Sequence, residues 1–434
     1  MTSDATITRE IRALMAAGDR AGATALLKSL LRDVTGVAVA AATIRADEYS
    51  LNSINGFVDL ADGQALFFKF HQEENEESGV AEYYNAEILK EAGYPVDVPV
   101  YIERRPGRQI LLYRRRADPR LADVCVAIER GAATAIDAES VIALQRRTDA
   151  ALARVMIASL HRADAAAIAR EPIHQLFHHR LHDGDSATLG GRVGRFYIGQ
   201  DFAFPGCALP WETLANAPWR INGRDYPITL DRAFTDALAL LSPERLAGHG
   251  AVIAHGDAHN ANVWLERDAA GAAPRLCLFD PAFAGRHVPA LLAEVKATFH
   301  NILAHPFWLY DPAEAERRYS ARVRLVDGVI EIEHDHALSP LRRAFLESKA
   351  RLMWRPLLDA LRARGWLPDD WERIVRLALF CGPTLVMDLR AGGSGGHNPT
   401  SAAIGLATAI TLASAPAGDG PPDPVQDFLA LATP

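Results

Sequence analysis

The chain has 434 residues, 49% of them apolar and 23% charged, and a formal net charge of -8. That length suits two or three lobes with separate cores, and the acidic balance argues against nucleic acid or an anionic membrane as the main partner. Cys125, Cys207, Cys277 and Cys381 stand far apart with no CxxC pair. Charges fill the opening MTSDATITREIRALM, and no apolar run reaches the ~18 residues of a membrane span. Reduced, mostly buried thiols in a cytoplasmic protein are the expectation.

In chain order, residues 6–32 carry Ile7, Ile11, Leu14, Leu26, Leu27 and Leu30 at helical spacing, which predicts one or two leading helices. Two apolar runs flank Asp62-Gly63, a strong hairpin signal. The second run carries Lys69 between Phe68 and Phe70. A lysine there either reaches water from an edge strand or meets an anion. An acidic helix is predicted over about 78–92, stopped by Gly93. Ile110 to Tyr113 reads as an apolar strand, followed by Arg114, Arg115 and Arg116, a cluster that fits a solvated surface better than a phosphate contact. Residues 118–183 are Ala-rich and helical. Residues 185–226 change character, with many Gly, Pro and aromatic residues and little periodicity. They read as an insertion bordering an acceptor pocket.

The chemistry concentrates further on. VIAHGDAHNANVWLE sets Asp257 five residues before Asn262, on a turn between apolar runs, and PRLCLFDPAFAG ends a strand-like run on Asp280. Two carboxylates and an amide are the set that phosphoryl transfer from ATP requires: one carboxylate for the acceptor hydroxyl, an Asn and an Asp for magnesium.

His255-Gly256-Asp257-x-His259-x-x-Asn262 followed by Asp280 resembles the catalytic and metal loops of the aminoglycoside phosphotransferase and choline kinase-like superfamily of small-molecule kinases. Protein kinases place Arg after the His and Phe-Gly after the Asp; here Gly256 and Pro281-Ala282 stand there. The resemblance implies an α+β, bilobal, protein-kinase-like fold. Residues 1–113 would form the nucleotide lobe, with an antiparallel sheet. Residues 114–434 would form a helical lobe with catalytic loop 255–262, metal segment 276–285 and the insertion.

It further implies ATP with Mg²⁺ as cofactors and Asp257 as the catalytic base. Asn262 and Asp280 would bind the metal, and Lys69 the phosphates. Glu82, by family spacing, or else Glu87, would pair with Lys69. Ser50, Asn52 and Ser53 would form a phosphate loop without GxGxxG. Backbone from Leu112, Tyr113 and Arg114 would meet adenine.

His255 reads as a loop-holding residue, and His259 as either packing or substrate contact. Glu294, His300 and Asp388 have structural or substrate roles open to them. The implied partner is a small hydroxylated molecule: a sugar, amino sugar, aminoglycoside or amino-alcohol. Two rivals stand beside this reading. One is a kinase-like binding or regulatory protein without turnover. The other is a metal-dependent hydrolase using His255-x-Asp257-x-His259 as alternating ligands on a strand.

Overall fold

The computed structural model describes residues 7–45, 53–71, 77–134, 136–184, 187–267, 273–418 and 423–434. The chain is α+β and divides into two compact units. The first takes residues 1–119 together with 264–272 and 277–282, and the second takes the rest.

The first unit opens with helices α1 (Ile7–Ala16) and α2 (Arg20–Thr35). Asp19 caps α2 by accepting from the Gly22 amide, and Gly36 closes it at φ 71°, the left-handed stop that glycine adopts without cost. Strands β1 (Val39–Arg45), β2 (Ser53–Leu60), β3 (Ala65–His71), β4 (Tyr101–Glu103) and β5 (Ile110–Arg114) form one antiparallel sheet in the order β1-β2-β3-β5-β4. The turn at Asp62 and Gly63 joins β2 to β3, with Asp62 Oδ1 accepting from the Gln64 amide. Helix α3 (Glu77–Ala92) follows β3. Ile11, Leu27, Leu30 and Leu31 from the helices close over Val58, Phe68 and Leu112 from the sheet, all at most 0% exposed. Each such side chain contributes about 1.5–3 kcal/mol of burial.

Arg116 departs from the solvated-face expectation. It makes ion pairs with Asp97 at 3.1 Å and Asp118 at 3.5 Å, and a very short one with Glu266. Burial opposes its charge, but the bonds to Asp97 and Glu266 outweigh that and raise its pKa. Arg115 pairs with Asp59 at 2.9 Å.

The second unit is mostly helical. Helices α4 (Leu121–Glu129) and α5 (Ala138–Ala158) open it, and Asp137 caps α5. The 187–226 region is more regular than its composition suggests. It holds a hairpin of β6 (Asp201–Phe204) and β7 (Cys207–Pro210) and a second of β8 (Trp219–Ile221) and β9 (Arg224–Tyr226). Gly and Pro here mark tight turns between very short strands, so no run is long enough to show period two. Strand β8 continues, in parallel, onto a later hairpin made of β14 (Ala321–Val326) and β15 (Val329–His334), a partner no local pattern announces. Strand β10 (Ala251–Ala254) pairs antiparallel with β13 (Gly285–Pro289), and β11 (Val263–Glu266) pairs with β12 (Arg275–Leu278).

A buried polar knot lies in this unit. Lys349 Nζ meets Asp149 at 2.6 Å and Glu294 at 2.9 Å, with side-chain exposures of 4%, 0% and 2%. Ser348 and Gln145 also donate to Asp149. Lys349 opens a π-helical turn, Lys349–Trp354, and a second such turn, Phe299–Leu303, follows Glu294. Wide turns of this kind are rare and cluster where side chains must be re-aimed.

Cys125, Cys277 and Cys381 are buried thiols, Cys207 is partly exposed, and none is bonded to another. Burial pushes the Cys125 and Cys277 thiols up to about 12. No described helix is long and apolar enough to cross a membrane.

Candidate active site

In the first unit, Lys69 of β3 donates to Asp280 Oδ1 at 2.7 Å, across 211 positions of sequence. The Lys69 side chain is 13% exposed and the Asp280 side chain 39%. Asp280 follows β12 and the ring of Phe279, which stacks on Trp264 at 4.3 Å. Its backbone sits at φ 57°, one of three described non-glycine residues with positive φ. Such a conformation costs about 1–2 kcal/mol and gathers at functional sites.

Ser50 and Asn52 lie outside the described residues, as do the side chains of Ser53 and Glu82. Glu87 lies on α3 without an ion pair among the described residues. Leu112 pairs with Phe68 on one side and Tyr101 on the other, and its carbonyl accepts from the Val100 amide at 2.7 Å. Tyr113 and Arg114 pair with Phe67 and Leu66 in the same ladder, so all three expected adenine positions lie within the sheet.

In the second unit, β10 delivers the chain to His255 and Asp257. Gly256 between them has φ 77°, and a Cβ there would stand 2.6 Å from the Phe283 carbonyl and 2.9 Å from Ile173 Cδ1. Both facts demand glycine, which explains why no arginine follows this histidine. His255 is 1% exposed and accepts the Asp257 amide on Nδ1 at 3.3 Å. It holds the turn. The segment 255–259 is a turn and not a strand, so the alternating ligand geometry of the hydrolase rival is missing. Among the described residues, no three His, Cys, Asp or Glu side chains group as a metal set.

The turn is tied from inside. His259 N donates to Asp257 O at 2.8 Å, and Asn262 N to His259 O at 2.7 Å. Asn260 N donates to Asn301 Oδ1 at 2.8 Å, which fastens the loop to the π turn. Asn262 Nδ2 donates to the Asp257 carbonyl at 3.0 Å. That bond fixes the amide and leaves its Oδ1 as an acceptor without a donor among the described residues. Asp257 Oδ1 is buried and likewise accepts no hydrogen bond. Buried oxygens are nearly always satisfied, so the bare Asp257 Oδ1 is a place for a donor or cation from outside the chain.

Three cations of this unit, Lys296, Arg180 and Arg192, act on one another electrostatically, and the first two also on Asp257. Lys296 Nζ stands 3.9 Å from Asp257 Oδ1 and 2.8 Å from His300 Nε2. An ammonium can only donate, so His300 accepts on Nε2 and its Nδ1 faces the Tyr310 hydroxyl at 3.0 Å. Burial, with Lys296 beside it, holds the His300 pKa well below its ordinary value. Burial also pulls Lys296 down to about 8, with Asp257 acting against the shift and Arg180 and Arg192 adding to it. Arg180 falls to about 10, from burial first and Arg192 second. His259 Nε2 lies 3.7 Å from Asp257 Oδ2, and its ring centroid 5.0 Å from that of His300.

The remaining expected residues are inward. Glu294 belongs to the Lys349 knot. Asp388 is 1% exposed, pairs with Arg390 at 2.8 Å and accepts from the Ser394 amide. Lys296, Arg180 and Arg192 are not among the residues expected from the sequence. All three stand on segments far from the catalytic turn, and no spacing links them to it.

No family model matches the chain, and neither does any curated protein. Solved structures do. The chain is similar to amicoumacin kinase hAmiN, solved with AMP-PNP, Ca²⁺ and Ami, at TM-score 0.41 and 11% identity over 80% of each chain. It is similar to a provisionally assigned fructosamine-3-kinase from Thermobifida fusca at TM-score 0.37 and 16% identity, over 88% of this chain and 98% of that one. Spectinomycin phosphotransferase APH(9)-Ia, solved with ADP and spectinomycin, gives 0.38 and 10%, over 89% and 96%. By their names these are two kinases and a phosphotransferase. At such scores the likeness carries no weight beside the residues themselves.

Proposed function

We propose that this protein transfers the γ-phosphoryl group of ATP to a hydroxyl of a small molecule. One observation carries the reading: a lysine on the third strand of an antiparallel sheet is ion-paired with an aspartate 211 positions away, and that aspartate is held in left-handed backbone. In this reading Lys69 binds the α- and β-phosphates, and Glu82 is its second partner. Asp280 and Asn262 would hold Mg²⁺, which neutralises phosphate charge when bound. Asp257 orients the acceptor hydroxyl and takes its proton late in a loose transition state. Its unpartnered Oδ1 suits a donor that comes from outside the chain. Rate then comes mainly from positioning and from charge already in place. His255 and Gly256 act only by shaping the turn.

The test uses the full chain with labelled ATP, Mg²⁺ and a metabolite pool, with mass spectrometry of the labelled product. Transfer should occur and be lost in Asp257→Asn. ATP–Mg²⁺ binding with no transfer to any acceptor would instead support the binding-protein rival.

A further inference from the structure

We infer that the acceptor is an anion: a hydroxylated molecule bearing a carboxylate or phosphate, held by Arg180, Arg192 and Lys296 beside Asp257. This rests on the phosphotransferase reading for the role of Asp257, but the charge argument stands on its own.

Arg192 Nη1 donates to the carbonyls of Leu385 at 2.6 Å and Val386 at 3.0 Å, and Arg180 Nη1 reaches the same Leu385 carbonyl at 3.4 Å. The two guanidiniums therefore sit side by side at the C-terminal end of the helix Trp371–Val386. Each uses one nitrogen there. Their Nε and Nη2 groups find no acceptor among the described residues, and neither arginine has a carboxylate partner. Besides neutral His300, Lys296 meets one carboxylate among the described residues, Asp257 at 3.9 Å, and its side chain is 6% exposed.

The charges do not balance. Three cations face one carboxylate, and the helix end offers the equivalent of only about half a negative charge. Nearby carboxylates do not help. Asp388 is taken by Arg390, and Glu294 by Lys349. Lys296 is buried and the two arginines are partly buried, where an unpaired charge is costly, and an incoming anion lowers that cost. The free guanidinium nitrogens suit the oxygens of a carboxylate or phosphate. A polycationic acceptor such as an aminoglycoside would meet repulsion here. The π turn after Lys296 gives the same direction: it seats His300 as the neutral acceptor for Lys296, so that the ammonium stays aimed at this place.

The experiment is calorimetric binding to the full chain of D-gluconate and glucose 6-phosphate, each against glucose, with glucosamine as the cationic member. The two acids separate a carboxylate from a phosphate source. At least one acid should bind about tenfold or more tightly than glucose, the scale of one charge-assisted hydrogen bond. That preference should fall toward unity in Arg192→Gln and return in part in Arg192→Lys. Equal or tighter binding of glucose or glucosamine overturns the inference, and so does no binding of either acid. ATP–Mg²⁺ affinity is measured alongside. If Arg192→Gln weakens the nucleotide as much as the acid, the cations serve the nucleotide and the inference falls. Failure of the phosphotransferase reading shows separately, as absence of Asp257-dependent transfer while acid binding persists.

Discussion

Replacing Lys349 with Met tests whether Glu294 is held by the core or by substrate. The Met side chain fills most of the lysine stem, so little cavity forms. What is lost is the ammonium between Asp149 and Glu294, which are 0% and 2% exposed. Asp149 keeps the donors of Ser348, at 2.6 Å, and Gln145, at 2.9 Å. The Glu294 carboxylate keeps none among the described residues. Removing one member of a buried pair typically costs about 3–5 kcal/mol, and with one carboxylate left bare about 4 kcal/mol is expected here. Urea unfolding of the full chain measures it. The double variant Lys349→Met with Glu294→Gln should recover at least about 1 kcal/mol, because it removes the stranded charge. A single-variant loss under about 1 kcal/mol, with a raised KM for the acceptor, would refute this reasoning and move Glu294 to the substrate side.

Three further outcomes are expected. Asp257→Asn should lower transfer about 10²–10⁴-fold, the usual worth of a positioned base, with ATP–Mg²⁺ binding nearly unchanged; retained turnover would remove Asp257 from the mechanism. Gly256→Ala should cost about 2 kcal/mol or more, since its Cβ would meet the Phe283 carbonyl at 2.6 Å and φ is 77°; an unchanged melting temperature would show that the turn yields. Lys296, lowered to about 8 from an ordinary 10.5, makes the unfolded chain bind more protons between those values, so stability should rise with pH across that window. The difference between wild type and Lys296→Met, followed by urea titration from pH 7 to 11, should carry that rise; a flat difference would contradict the burial of its ammonium.

Much of the first unit can be read from the residues, because its signals are local. Asp62-Gly63 marked the hairpin, the helix expected over 78–92 is Glu77–Ala92, and the strand from Ile110 ends at Arg114. Gly256 and the Asp–Asn spacing marked the turn at 255–262. What stayed hidden depends on distance in sequence. The parallel pairing of Trp219 with Ile330 joins segments over a hundred positions apart, and no periodicity encodes it. Arg180, Arg192 and Lys296 gather only through tertiary packing. Arg116 looked like one of three surface arginines because its acids, Asp97 and Glu266, come from either side of a long excursion.

That excursion has a practical edge. The compact body built on the five-stranded sheet is not a continuous stretch: Glu266 answers Arg116, and Asp280 answers Lys69, only after the chain has returned from elsewhere. A gene fragment ending at Pro119 would encode all five strands and lack Glu266 and Asp280, leaving Arg116 with Asp97 and Asp118. Recombination that exchanges the other compact unit therefore has to carry the short returning stretches with their original owner, or rebuild two salt links at once.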